Sequence, residues 1–177
     1  MSRWLWLCML LFASRVCAQG QLQFDAPWGP HAIGFKVVHL VDSSRSWGDG
    51  HDPLTGLSVA AMHERPLQVL VWYPASAAGK PMVYSDYLAL LASEDGPVNE
   101  SAIIPRVIEG QLHGWAGSNP LSGYQAIAAQ PVHATSAATP ASGSFPLVIY
   151  VPSDSNAAFE DDVLCEYVAS HGLGKAH

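Results

Sequence analysis

The sequence predicts an α/β fold. Three observations carry that expectation. Two early segments are rich in Val, Leu and aromatic residues, and a continuous apolar run bounded by prolines stands near the C-terminus. Directly after that run comes a helical repeat ending at a glycine. Strand, strand, helix, buried strand, helix is the order of an alternating fold, and 177 residues ordinarily make one domain.

The chain opens with Arg3 followed by an unbroken apolar run from Trp4 to Ala13, and Val16 and Ala18 supply small residues before Gln19. This is the layout of a cleaved secretory signal peptide, expected over residues 1–18, and the run is too short for a permanent membrane anchor. The expected localisation is secreted or periplasmic. Cys8 and Cys17 leave with the signal, so Cys165 alone remains in residues 19–177 and no intramolecular disulfide can form. An exported chain of that kind must rest on a hydrophobic core. The full chain has 8 basic against 15 acidic residues, and removing Arg3 and Arg15 makes the balance more acidic still. With no basic run, neither nucleic acid nor an anionic membrane surface is an expected partner.

Each element is justified in turn. Ile33–Asp42 alternates partly and is rich in Val, which predicts a strand. Residues 43–66, full of Gly, Pro and Asp, predict a long surface loop. Leu67–Ala75 predicts a second strand, pairing antiparallel with the first. In 84–96, Ser85 as N-cap, Asp86 in the first turn and Gly96 past the end predict a short helix. Residues 97–119 are ambiguous because Pro105 interrupts any long helix. Asn119 followed by Pro120 predicts the cap and first turn of a helix over 120–130. Residues 131–144, rich in Ala, Ser, Thr and Pro, predict a linker. Leu147–Val151 predicts a strand buried on both faces, as in a parallel sheet. Beyond it Phe159, Val163 and Tyr167, with Leu164 and Val168, repeat at helical spacing. Glu160, Asp161 and Asp162 suit the positive end of that helix, and Gly172 ends it. The tail Leu173–His177 shows no strand character.

The segments GFKVVHLVDSSR, RPLQVLVWYPA, GKPMVYSDYLALLASE, FPLVIYVPS and FEDDVLCEYVASHG stand in an order that resembles a secreted α/β-hydrolase. The resemblance is to bacterial relatives of platelet-activating-factor acetylhydrolase and dienelactone hydrolase. It implies a serine esterase acting on small acyl esters or lactones, with no cofactor. It implies a nucleophile in G-x-S-x-G on a strand-to-helix turn, followed by the acid and the histidine. None of the 177 residues forms a G-x-S-x-G. The expectation is therefore an incomplete α/β-hydrolase fold: first strands, third strand and first helix, without the central fourth strand and the nucleophile elbow. Residues 19–177 read as the N-terminal part of such a domain, truncated after its first core helix by a frameshift, a premature stop or a shortened gene model. Such a chain is expected to lack activity alone and to be marginal in stability. The alternative is a secreted non-catalytic binding or structural module on part of the same scaffold.

Among site residues, no catalytic residue and no metal ligand is assigned. By position after the third strand, Ser153, Asp154 and Ser155 match the oxyanion loop, with Asp154 or Ser155 lending its backbone N–H. The plainer reading is that Ser155 or Asn156 caps the next helix. Ser153 or Ser155 as nucleophile would need a nearby base, and no spacing selects His133, His171 or His177 for that role. His63-Glu64 begins like a zinc motif, but Leu67 replaces its second histidine; Asp49, His51 and Asp52 more often shape turns than hold metal. His171-Gly-Leu-Gly174 resembles an oxyanion-loop string in the wrong place and is read as coincidence. Asn99-Glu100-Ser101 matches the glycosylation pattern, which matters only in a eukaryotic source. Trp72 is expected in the core; Trp28, Trp47 and Trp115 stand in loops, where lining an acyl pocket is one reading and aromatic core packing the plainer one.

Overall fold

A computed structural model describes residues 26–44, 64–94, 100–153 and 156–176. The expected signal peptide, Trp47, the Asp49–Asp52 group, His63, Gly96, Asn99, Asp154 and Ser155 lie outside the described residues. Two long strands, β1 (Ala32–Asp42) and β2 (Arg65–Ala77), pair antiparallel over eleven residue pairs. Their register sets Ile33, Phe35 and Val37 opposite Pro74, Trp72 and Leu70. Side chains alternate faces along a strand, so these residues form one apolar face of the pair. Ile33, Phe35, Leu70 and Trp72 are buried there.

Short β3 (Lys80–Val83) leads into helix α1 (Tyr84–Leu88), which tightens into a 3-10 turn over Ala89–Ser93. The helix starts one residue before the expected Ser85 cap. Its first turn is held by the Asp86 carboxylate, which accepts the Val83 N–H at 2.9 Å. Helix α2 (Glu100–Ala116) accommodates Pro105 within its second turn rather than breaking there. Helix α3 (Leu121–Ala128) follows. The segment expected as a linker instead contributes β4 (Pro131–Ser136), parallel to β1, and β5 (Thr139–Pro140), paired with the end of β2. Its small and β-branched residues give no apolar run, because β4 is half-exposed and is held by its neighbours' backbone groups.

The seven-stranded sheet runs β3-β4-β1-β2-β7-β6, with β5 off this path. Two expectations are corrected at its far end. The apolar run of β6 (Leu147–Ile149) predicts a strand covered on both faces, yet Leu147 is 66% exposed, Ile149 71% and Val151 79%. Its sole strand partner among the described residues is β7, so it forms the sheet's apolar edge. The expected absence of a central strand is corrected as well. The tail forms β7 (Gly174–Ala176), antiparallel to β2 and parallel to β6, and fills the position between them. Strand pairing satisfies backbone groups whatever the side chains, which is why Gly-Lys-Ala gives no strand signal.

Helix α4 (Asp162–Ser170) lies against β1 and β2. Its buried face is Asp162, Cys165, Glu166, Ala169 and Ser170; of the expected stripe Phe159 is buried just before the helix, Val163 and Tyr167 are half-buried, and Leu164 is exposed. The polar residues are drawn inward by hydrogen bonds described below. Gly172 ends the helix at φ +83°, where an L side chain is strained, and the Leu173 N–H returns to the Val168 carbonyl at 3.2 Å. Gly29 packs against that helix end, where an added Cβ would stand 2.0 Å from the Ser170 carbonyl oxygen. The core is knit by Phe35, Trp72, Tyr87 and Phe159, whose ring centroids lie 5.1–6.0 Å apart, each pair worth roughly 0.5–1.5 kcal/mol beyond burial.

Candidate functional site

Of the expected oxyanion residues Ser153 is described, following β6 in the chain. Ser153 is exposed and tied to Glu160: its N–H donates to Oε1 at 2.6 Å and its hydroxyl to Oε2 at 2.7 Å. The Tyr150 hydroxyl reaches the same Oε1 at 2.8 Å, and the Asn156 side-chain amide donates to Ser153 Oγ. These donors hold the Glu160 carboxyl below the usual carboxylate range, the Ser153 hydroxyl contributing most. The Tyr150 phenol is pushed up by hydrogen bonding to Asp161 and then to Glu160. Glu160, read from sequence only as a charge favoured by the helix dipole, thus folds the loop onto itself and engages the first backbone donor of the candidate oxyanion segment.

Beside this loop opens a cleft of about 500 Å³. Tyr84 of α1, Leu91 and Glu94 at the 3-10 turn, Gln111 and Trp115 of α2, and Asn156, Ala157, Phe159 and Glu160 of the turn before α4 form its walls. Tyr84 and Trp115 face each other with centroids 6.4 Å apart, and Trp115 is 40% exposed.

Behind Tyr84 lies a buried acidic network that the sequence reading missed. The Trp72 indole N–H donates to the Tyr87 hydroxyl at 2.8 Å, and that hydroxyl donates to Glu166 Oε1 at 2.7 Å. The N–H groups of His133 and Ala134 donate to the same carboxylate at 3.0 and 3.2 Å. Glu166 therefore pins α4 to β4 and α1 at once. Burial raises its carboxyl, and the three donors partly restore the charged form. One turn earlier Asp162 is 5% exposed, and its Oδ2 has no hydrogen-bond partner among the described residues. Burial first, then the neighbouring Glu166 charge, push its carboxyl up to about 7. Burial, then Asp162, push the Tyr84 phenol up to about 12. Burial, then Glu166, also raise the Tyr87 phenol. The available signal was two carboxylates at i and i+4, a repulsive spacing on a helix, set among buried Cys165 and Ala169.

Ser170 and His171 are within hydrogen-bond distance, Oγ to Nδ1 at 3.1 Å. They do not make a nucleophile and base. His171 Nδ1 also faces the Tyr167 carbonyl at 2.9 Å, an acceptor only, so it carries the proton and offers no lone pair to the serine. The Ser170 hydroxyl donates to that carbonyl at 2.6 Å, accepts the Gly29 N–H at 2.9 Å and is 1% exposed. His133 stacks on Trp28 with centroids 3.8 Å apart and does not approach Ser153 through any hydrogen bond among the described residues. Among the described residues, no three His, Cys, Asp or Glu side chains gather as a metal site. Trp72 is in the core as expected, Trp115 lines the cleft, and Trp28 packs between His133 and Tyr167.

No family model matches the chain. No curated protein matches it. Among solved structures, the chain is similar to a ferulic acid esterase from Streptomyces cinnamoneus, with a TM-score of 0.52 and 26% identity. The match covers 86% of this chain and 34% of the esterase, so the chain spans about a third of that protein's length. The mixed sheet with packed helices and this likeness give the chain an esterase-like α/β-hydrolase fold.

Proposed function

We propose that these residues are the N-terminal part of an exported carboxylic-ester hydrolase with a serine nucleophile, related to the platelet-activating-factor acetylhydrolase and dienelactone hydrolase group, and that they do not turn over esters unaided. The observation that carries this reading is the likeness to an esterase, which uses most of this chain and a third of the other. The absence of any G-x-S-x-G supports the second half. So does the protonated Nδ1 of His171 beside Ser170, since a hydroxyl without an accepting base is a weak nucleophile. In the intact enzyme, amides of the 153–155 loop would stabilise the oxyanion of a small acyl ester or lactone, with Glu160 giving way at Ser153. Export rests on the Arg3-to-Ala18 layout.

The test is hydrolysis of p-nitrophenyl acetate by the purified chain. No turnover above buffer is expected; sustained turnover abolished by a serine-directed phosphonate refutes the inactivity. The sequence of the whole gene tests the rest, the expected result being a G-x-S-x-G outside these residues. The second reading, a secreted non-catalytic binding module, is favoured by one observation: a cleft of about 500 Å³ with Tyr84, Trp115 and Phe159 in its walls stands beside the loop.

A further inference from the structure

The cleft between α1, α2 and the turn before α4 is shaped for a flat group. Tyr84 and Trp115 stand in its walls with ring centroids 6.4 Å apart and planes inclined at 41°. Two inclined rings make a wedge. A planar group in contact with a ring lies roughly 3.5 Å above it, so a flat group touching both rings needs roughly 7 Å, which a wedge centred on 6.4 Å reaches toward its open side. A group equally thick in every direction meets one ring at a time. Trp115 is 40% exposed, so a group laid on it takes a large ring out of water. Phe159 also lines the cleft and is itself buried, so the ground behind the wedge is apolar. Glu160 adds a negative charge to the wall. The Tyr150 hydroxyl and the N–H and hydroxyl of Ser153 already hold that carboxylate in place. They also keep it ionised. A charge fixed before a ligand arrives costs no further ordering on binding. Gln111 brings a side-chain carbonyl to the same walls. Among the described residues no Lys, Arg or His lines the cleft, and the chain as a whole carries a net charge of -7.

We propose that this cleft binds a guanidinium group lying flat between Tyr84 and Trp115, with its N–H edge toward Glu160 and Gln111. A guanidinium is planar, always charged, weakly hydrated, and carries donors only. Its charge is attracted by the negative faces of the two rings, and its edge meets acceptors rather than donors. An ammonium of four equal arms has the charge without the flatness; a urea has the flatness without the charge. Neither satisfies the wedge and the carboxylate together. The site is separate from ester hydrolysis: it needs no nucleophile and holds whether or not these residues are part of an esterase. The group arrives either as an arginine side chain of a peptide or as a free guanidino compound, and the chemistry of recognition is the same.

Ligand-observed NMR on the purified chain, at low millimolar ligand, tests this with methylguanidinium, N-methylurea, tetramethylammonium and N-acetylarginine amide. Methylguanidinium is expected to bind saturably, with N-methylurea and tetramethylammonium each about fivefold weaker or worse. Trp115→Ala is expected to weaken methylguanidinium about fivefold. Glu160→Gln keeps an oxygen for the Tyr150 and Ser153 donors and is expected to weaken it about fivefold or more. Circular dichroism checks that each variant is folded, and the comparison of ligands on the unaltered chain decides even where a variant is not. N-acetylarginine amide binding more tightly than methylguanidinium supports the proposal and identifies a peptide side chain as the source. Equal or weaker binding of that amide supports it and identifies a free guanidino compound. No saturable binding of methylguanidinium overturns the proposal. So does equal binding of N-methylurea, equal binding of tetramethylammonium, or unchanged affinity in folded Trp115→Ala.

Discussion

Replacing Asp162 by Asn probes the buried acidic pair directly. The Asp162 carboxyl is raised from 3.8 to about 7, first by burial and then by Glu166. A tenfold change in proton affinity is worth about 1.36 kcal/mol, so the ceiling of the effect is roughly 4 kcal/mol. Relaxation and water penetration at a real buried site leave about 2 kcal/mol of that. The sign follows from proton linkage. Below pH 4 the carboxyl is protonated in both the folded and the unfolded chain and contributes nothing. Between pH 4 and 7 the unfolded chain has released this proton while the folded chain still holds it, so stability falls as pH rises. Above 7 the penalty is complete. Glu166, also raised, acts in the same direction; Glu160, held low but on the surface, acts oppositely and weakly. Tyr84 faces the same site but ionises only near 12. The Asp162→Asn side chain would keep the shape, carry no charge and place an amide where Oδ2 lacks a partner among the described residues. Urea denaturation followed by tryptophan fluorescence at pH 4.5, 6, 7 and 8 reads the difference. The wild type is expected to lose about 2 kcal/mol from pH 4.5 to 8. The variant is expected to match it at pH 4.5 and exceed it by about 2 kcal/mol at pH 8. Parallel curves for the two proteins across the whole range would refute the reasoning.

Two further outcomes concern the fold. Tyr87→Phe removes the hydroxyl between Trp72 and Glu166 and is expected to cost about 1–3 kcal/mol in the same urea assay, because an indole N–H and a carboxylate oxygen lose a buried partner; an unchanged midpoint would show that the network does not hold α4. Ile149→Lys places a charge on the apolar edge of β6. It is expected to reduce light scattering of the purified chain while changing stability by no more than about 0.5 kcal/mol, whereas unfolding would show that this side chain is covered in solution.

The sequence by itself determined the parts whose physics is local. Alternation and β-branching marked β1 and β2, and their antiparallel pairing followed from one long polar loop. Gly172 marked the end of α4 because a positive φ suits only a residue without a side chain. Tertiary structure decided what depends on neighbours far along the chain. Strands β4 and β7 are made by the backbone groups of β1, β2 and β6, so their small and polar residues carried no signal. The exposure of β6 depends on how many strands lie beside it, which an apolar run cannot reveal. The inward face of α4 was set by Tyr87 and by the amides of His133 and Ala134, which reach Glu166 across 32 to 79 residues of sequence. The cleft likewise exists only because α1, α2 and the turn before α4 converge. Periodicity reports which faces are apolar; hydrogen-bond satisfaction over long separations decides which polar groups are buried with them.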